Sequence, residues 1–168
     1  MIRQTRIGRY EVVSALGQGA MGAVYKAVDP LIERAVAIKT INLNLSKEER
    51  IGFEERFYRE AKSAGRLSHA NIVTIYDVGE ADDTAYIAME LIEGRPLSVA
   101  IDAQRMLPLP EVVHIADQIG GALAAVHARR LIHRDVKPAN ILVEHDTGRA
   151  VLLDLGVVRD LGGVGMTG

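Results

Sequence analysis

The chain has 168 residues, 48% of them hydrophobic and 25% charged, with a formal net charge of -2. That composition fits one globular domain with a sizeable core, and the near balance of charge gives no bulk attraction to nucleic acid or anionic lipid. The absence of Cys excludes disulfides and thiolate zinc sites, the five His lack H-x-x-x-H spacing, and no apolar run is long enough to cross a bilayer.

Residues 10–16 read as a strand, followed by Gly17-Gln18-Gly19-Ala20-Met21-Gly22 and a second strand over 23–28 that Asp29-Pro30 stops. Dinucleotide folds share this G-x-G-x-x-G spacing, but they need a helix directly after the glycines. Here Val24, Lys26 and Val28 alternate onto one side of a strand, and Pro30 leaves no room for a helix. The glycines therefore join two antiparallel strands, either as an ordinary Gly-rich hairpin or as a flap whose backbone can close over phosphates.

A third strand, 34–41, places Ala37, Lys39 and Ile41 on one face and Val36, Ile38 and Thr40 on the other. Lys39 is either a surface lysine or, if its face is covered, a charge that needs a partner. The charge-rich stretch 47–67 has helical periodicity, with Phe57, Ala61, Ala64 and Leu67 forming an apolar stripe. Glu60 falls on that stripe, whereas Glu54, Glu55 and Arg56 read as solvated surface. Lys39 and Glu60 are expected to pair.

Strands over 72–78 and 84–89 flank a turn at 80–83, and Glu90 to Gly94 then leads out of the sheet. Helices begin at Pro96, so 90–95 reads as a linker whose backbone groups can also meet the edge of an adenine. A short helix covers 97–104, and a longer one runs from Pro110 to about Arg129. On it Val112, Val113, Ile115, Ala116, Ile119, Ala122, Leu123 and Val126 span so wide an arc that burial on several sides is expected. His127 reads as a packing or surface residue.

The segment Leu131-Ile132-His133-Arg134-Asp135-Val136-Lys137-Pro138-Ala139-Asn140 gathers an acid, two bases and an amide between apolar runs. Such groups are costly in a core and unnecessary on a surface. They suit a catalytic loop, with Asp135 placed to accept a proton and Asn140 to hold a metal. Two short strands, 141–143 and 150–153, then enclose a polar turn and lead into Asp154-Leu155-Gly156. An acid before Gly at a strand end is a common turn, but its place across a hairpin from Asn140 makes Asp154 a candidate metal ligand.

Taken in order, G-x-G-x-x-G-x-V (Gly17 to Val24), V-A-I-K (Val36 to Lys39), Glu60, H-R-D-V-K-P-A-N and D-L-G resemble the protein-kinase motif set. The run from Arg59 to Val73 and H-R-D-V-K-P-A-N-I-L are similar to the bacterial serine/threonine members. The resemblance implies an α+β, protein-kinase-like fold: an antiparallel five-stranded N-lobe with one long helix, and an incomplete, mainly helical C-lobe. The implied divisions are an N-terminal extension (1–9), the N-lobe (10–89), a hinge (90–95) and a partial C-lobe (96–168).

It also implies roles. Gly17, Gly19 and Gly22 would let the flap approach ATP phosphates. Leu16, Val24, Ala37 and Leu142 would sandwich the adenine with Met89 behind it, and the backbones of Glu90 and Ile92 would read its edge. Lys39, positioned by Glu60, would hold the α- and β-phosphates, and Asp135 would accept the proton of the substrate hydroxyl. Lys137 would neutralise the γ-phosphate, and Asn140 and Asp154 would hold Mg2+. Lys137 is, in this family, the mark of serine/threonine specificity, and Arg134 beside Asp135 suggests control by activation-loop phosphorylation. The implied partner is a protein with a Ser or Thr acceptor, with no nucleic acid and no membrane contact from this segment; dimerisation through the N-lobe is left open.

Two departures stand out. Leu155 replaces the usual Phe of D-F-G, and the chain ends at Gly168 before A-P-E and the helices that follow it in this family. Thr167, in Gly165-Met166-Thr167-Gly168, is a candidate phosphosite that a Gly-rich tail does not require. The leading expectation is an ATP-dependent serine/threonine kinase. The alternative is an inactive fragment or an ATP-binding, pseudokinase-like module without a peptide-binding platform. With no signal-peptide core, a cytoplasmic location is expected, with membrane anchoring reserved for a region beyond Gly168.

Overall fold

The computed structural model describes residues 6–19, 22–42, 58, 61–62, 64–82, 84–104, 106–153 and 159–160, excepting the side chains at 41, 42, 104, 159 and 160. By their contacts the residues form two compact units, one drawn from Met1–Ala61 and Thr74–Leu91, the other from Lys62–Val73 and Ile92–Gly168.

The first unit is built on strands β1 (Arg6–Ile7), β2 (Tyr10–Gly19), β3 (Gly22–Asp29), β4 (Arg34–Asn42), β5 (Ile75–Ala81) and β6 (Thr84–Glu90). They make one antiparallel sheet in the order β1-β2-β3-β4-β6-β5. The five strands expected from alternation are β2 to β6. The sixth, β1, lies within the extension 1–9 and has two residues, too few to show a period.

Alternation divides the sheet into two faces. One carries the core of Ile7, Tyr10, Ala27, Val36, Ile38, Tyr86 and Ala88, with Val12, Tyr25 and Ala81 packed against it. The Tyr10 and Tyr86 rings meet edge to face, with centroids 5.8 Å apart. The Tyr10 hydroxyl donates to Asp77 at 3.0 Å, and Arg9 bridges Asp29 at 3.3 Å and Asp77 at 3.1 Å. This polar clasp ties the entry to β2 to the end of β3 and to the first half of β5. Burial and the neighbouring Asp77 carboxylate push the Tyr10 hydroxyl well above its ordinary pKa, so it stays a donor. The other face carries a smaller cluster, Ala85 and Ile87 with Ile75, Val78 and Met89.

The strand expected over 72–78 is shared between the units. Ile72 bridges Leu152 in parallel, the Leu152 N–H donates to the Asn71 carbonyl at 2.8 Å, and the Val73 N–H donates to the Leu152 carbonyl at 3.1 Å. Only from Ile75 does the chain join the first sheet. Periodicity cannot reveal this exchange of partner, because the apolar run is continuous through it. The hairpin after β5 is also tighter than expected: Glu80 and Ala81 remain in the strand, and Asp82 turns with φ 48°.

In the second unit, β7 (Gly94–Pro96) leads into helix α1 (Leu97–Gln104), followed by α2 (Leu109–Ala128). Pro110 sits in the first turn of α2, where its missing N–H leaves no helical bond unmade. The helix closes as the N–H groups of Arg129 and Arg130 donate to Val126 and His127, with Arg130 left-handed at φ 58°. After α2 come β8 (Leu131–Ile132), a 3-10 turn at Pro138–Asn140, β9 (Ile141–Glu144), β10 (Ala150–Leu152) and β11 (Arg159–Asp160). β9 lies between β10 and β7, and β11 pairs with β8.

α2 buries Ile115, Ile119, Ala122 and Val126, while Val112 and Val113 stay exposed at 43% and 57%. Among the described residues its cover is therefore narrower than its apolar arc. Of the long helix expected over 47–67, Tyr58, Ala61, Lys62 and Ala64 are helical, and Ala61, Ala64 and Leu67 are buried. Phe57 and Glu60 lie outside the described residues. No helix among the described residues is long and apolar enough to cross a membrane.

Two substitutions probe this framework. Ile38→Ala, at a fully buried site, is expected to destabilise the chain by about 2–5 kcal/mol in urea unfolding. A Cβ at Gly94 would collide with the backbone carbonyl of Val143 across the β7–β9 pair, so Gly94→Ala should cost about 1–3 kcal/mol. Wild-type midpoints would contradict both expectations.

Candidate active site

In the second unit the chain after α2 turns back on itself. Leu131 in β8 and His133 just beyond it are buried, at 5% and 1% exposure. A buried imidazole needs partners for both nitrogens. The N–H of Asp135 donates to His133 Nδ1 at 3.2 Å, so Nε2 carries the hydrogen and donates to the Leu153 carbonyl at 2.6 Å. The N–H of Leu153 donates in turn to the carbonyl of Asn140 at 2.8 Å. One residue, immediately before Asp154, is thus held by the loop through both its N–H and its carbonyl.

Asn140 closes the 3-10 turn, its N–H donating to Lys137 at 2.9 Å. The side chain is buried, and Nδ2 donates to both the carbonyl and Oδ2 of Asp135 at 2.9 Å. Lys137 Nζ stands 3.3 Å from the same Oδ2. Being half exposed, this pair adds little to stability and serves to gather charge. Arg134, between the two inward-held residues, is left-handed at φ 68°, a conformation that non-glycine residues adopt only where their surroundings compel it.

These contacts set the electrostatics of Asp135. The Asn140 hydrogen bond holds its carboxyl below the ordinary range, Lys137 acts in the same direction, and partial desolvation opposes them. Asp135 is therefore ionised at neutral pH. A carboxylate so held can accept a proton from a hydroxyl, and the adjacent ammonium can neutralise an anion.

In the first unit, cross-strand register pairs Val24 with Lys39, Lys39 with Ile87, and Ala37 with Met89. Directly opposed residues share a face, so Val24, Ala37, Lys39 and Met89 lie together, opposite the main core. The glycine hairpin continues the same strands, with Gly17 opposite Val24 and Gly19 opposite Gly22. Leu16 is exposed at the register shift between Ala15 and Gly17. Among the described residues a Cβ at Gly17 would meet nothing within 4 Å, so packing does not call for glycine there. Glu90 commits its N–H to the Thr74 carbonyl at 2.9 Å.

Ile92 is buried in the second unit, where Leu142 lies between Pro96 and Val151 on the middle strand of the small sheet. Each unit thus brings its own residues together: Asp135, Lys137 and Asn140 in one, the hairpin glycines with Val24, Ala37, Lys39 and Met89 in the other. The expected partner Glu60, the candidate ligand Asp154 and Thr167 lie outside the described residues. Sequence reasoning assigned no role to His133, although its position two residues from Leu131 in an apolar run was a signal that it is buried.

The lowered pKa of Asp135 means that the ionised loop contributes stability at and above the ordinary carboxylate range. That contribution is lost as pH falls through the lowered folded-state value. Asn140→Ala should move the Asp135 titration upward, and Lys137→Ala should move it less, both read by NMR of the side-chain carboxyl. An unmoved titration in Asn140→Ala would contradict the assignment.

The family described as "Protein kinase domain" matches residues 10–166. The serine/threonine-protein kinase PrkC of Bacillus subtilis is 41% identical over 160 residues, covering 95% of this chain and 24% of that protein. The serine/threonine-protein kinase PknE of Mycobacterium tuberculosis is 44% identical over 153 residues, covering 91% of this chain and 26% of that protein. A crystal structure of a mutant PknI kinase domain from M. tuberculosis superposes with a TM-score of 0.78 at 35% identity, covering 94% of this chain and 64% of that one. The chain thus spans about a quarter of the length of the curated relatives it matches. It belongs to the protein kinase domain family and, within it, resembles the bacterial serine/threonine kinases.

Proposed function

We propose that this chain carries the ATP-binding and phosphoryl-transfer residues of a serine/threonine protein kinase. The observation that carries the reading is the ionised Asp135, bonded to Asn140 and beside Lys137, in a chain of this family. In this reading Asp135 orients the Ser or Thr hydroxyl of a protein substrate and takes its proton. The hydroxyl oxygen bonds to the γ-phosphorus of ATP as the bond to the leaving ADP oxygen breaks. Lys137 offsets charge on the transferring group.

Protein kinases generally use Mg2+ with ATP, and the donor set fits it in part. Both Asn140 Nδ2 bonds go to Asp135, leaving the amide oxygen, a hard donor, to face a cation. Asn140 and Asp154 are the residues proposed to hold the ion, which when bound neutralises phosphate charge.

Lys39 is proposed to hold the α- and β-phosphates, positioned by Glu60. Gly17, Gly19 and Gly22 are proposed to let the hairpin backbone approach the phosphates, which the open space at Gly17 supports. Leu16, Val24, Ala37, Met89 and Leu142 are proposed to enclose the adenine. Its edge falls to the Glu90 carbonyl and the Ile92 backbone, since the Glu90 N–H is taken. Thr167 is kept as a candidate phosphosite. The reaction would occur in the cytoplasm, where ATP is available.

In a protein carrying this chain, Asp135→Asn should lower transfer to a Ser/Thr peptide by about 10²–10⁴-fold. Lys39→Met should abolish turnover with the far-ultraviolet circular dichroism unchanged. Full turnover in either variant would refute the role given to that residue.

A further inference from the structure

The side-chain amide of Gln118, on α2, joins three separate stretches of the second unit. Its Oε1 accepts from Asn71 Nδ2 at 2.8 Å and from the Ala150 N–H at 2.9 Å. Its Nε2 donates to the Gly148 carbonyl at 3.3 Å and to the His114 carbonyl of its own helix at 3.4 Å. Asn71 Nδ2 also donates to the Ala150 carbonyl at 2.8 Å. Side chains thus engage both backbone groups of Ala150, a fully buried residue.

Ala150 begins β10, a strand of three residues. So short a strand has few bonds of its own with which to resist a slip, and a slip of one residue would reverse its faces. At its far end β10 delivers Leu153, whose N–H is held by Asn140 and whose carbonyl is held by His133. Those two residues are the ones that bond Asp135. Gln118 therefore stands at one end of a short, braced strand and the catalytic loop at the other.

We propose that Gln118 is a positioning residue: by fixing Ala150 it sets the register of β10 and so the place of Leu153, against which His133 and Asn140 hold Asp135. The proposal rests on the Asp135–Asn140 assignment made above. A merely structural tie between α2 and β10 would affect stability and leave the environment of Asp135 alone.

The test reads the NMR resonance of the Asn140 side-chain amide and the kcat of Ser/Thr-peptide phosphorylation in a protein that carries this chain, in wild type, Asp135→Asn, Gln118→Leu and Gln118→Glu. Asp135→Asn should lower kcat by about 10²–10⁴-fold. Gln118→Leu removes every bond made by Gln118, leaves Asn71 bonded to the Ala150 carbonyl, and should shift the Asn140 amide resonance and lower kcat by about 10-fold or more with the KM for ATP unchanged. Gln118→Glu keeps the acceptor oxygen for Asn71 and Ala150 and should stay near wild type in both. If Asp135→Asn loses turnover while Gln118→Leu keeps the wild-type kcat and amide resonance, the inference is wrong and the site assignment stands. If Asp135→Asn keeps full turnover, both fail. Should Gln118→Leu not fold, Gln118→Met decides by the same criterion.

Discussion

The loop of the second unit depends on the backbone of a single residue, Leu153. Leu153 gives its N–H to Asn140 and its carbonyl to His133, and those residues in turn bond the carboxylate and backbone of Asp135. Each of these groups is costly to bury unpaired, by about 1–3 kcal/mol for a neutral donor or acceptor. Satisfied together, they fix the loop in one arrangement, because no member can move without leaving another unpaired. The left-handed Arg134 and the Pro-initiated turn before Asn140 are held in place by this network.

The first unit reaches precision by another route. Its sheet has one face filled by large apolar side chains and clasped at the edge by Arg9, Asp29, Asp77 and Tyr10. That fixes which way every residue of β3, β4 and β6 points, so Val24, Ala37, Lys39 and Met89 are assigned to the opposite face by pleat alone. Lys39 is placed by what lies behind it: Val36 and Ile38, both fully buried, anchor the strand on which it stands.

Much of this was legible in the sequence, for identifiable reasons. Alternation in β2, β3, β4 and β6 reports directly on a half-covered sheet, and the arc of α2 on a packed helix. The polar groups of the loop from His133 to Asn140 advertise chemistry through residue type. What stayed hidden depends on hydrogen bonds that leave no period in the sequence, some from side chains to backbone and some between short backbone stretches. His133 was visible as part of a motif, but its grip on Leu153 was not. The transfer of residues 71–73 to β10, the clip made by Gln118 and the two-residue β1 belong to the same class. Each is settled by which backbone groups need partners once the larger elements have packed.

Native-state amide hydrogen exchange at Leu153 tests the central claim most directly. The account predicts that this amide, though beyond the end of β10, exchanges as slowly as those of Val151 and Leu152, and that His133→Ala speeds it selectively. Rapid exchange at Leu153 in the wild-type chain, with Val151 and Leu152 still protected, would contradict it.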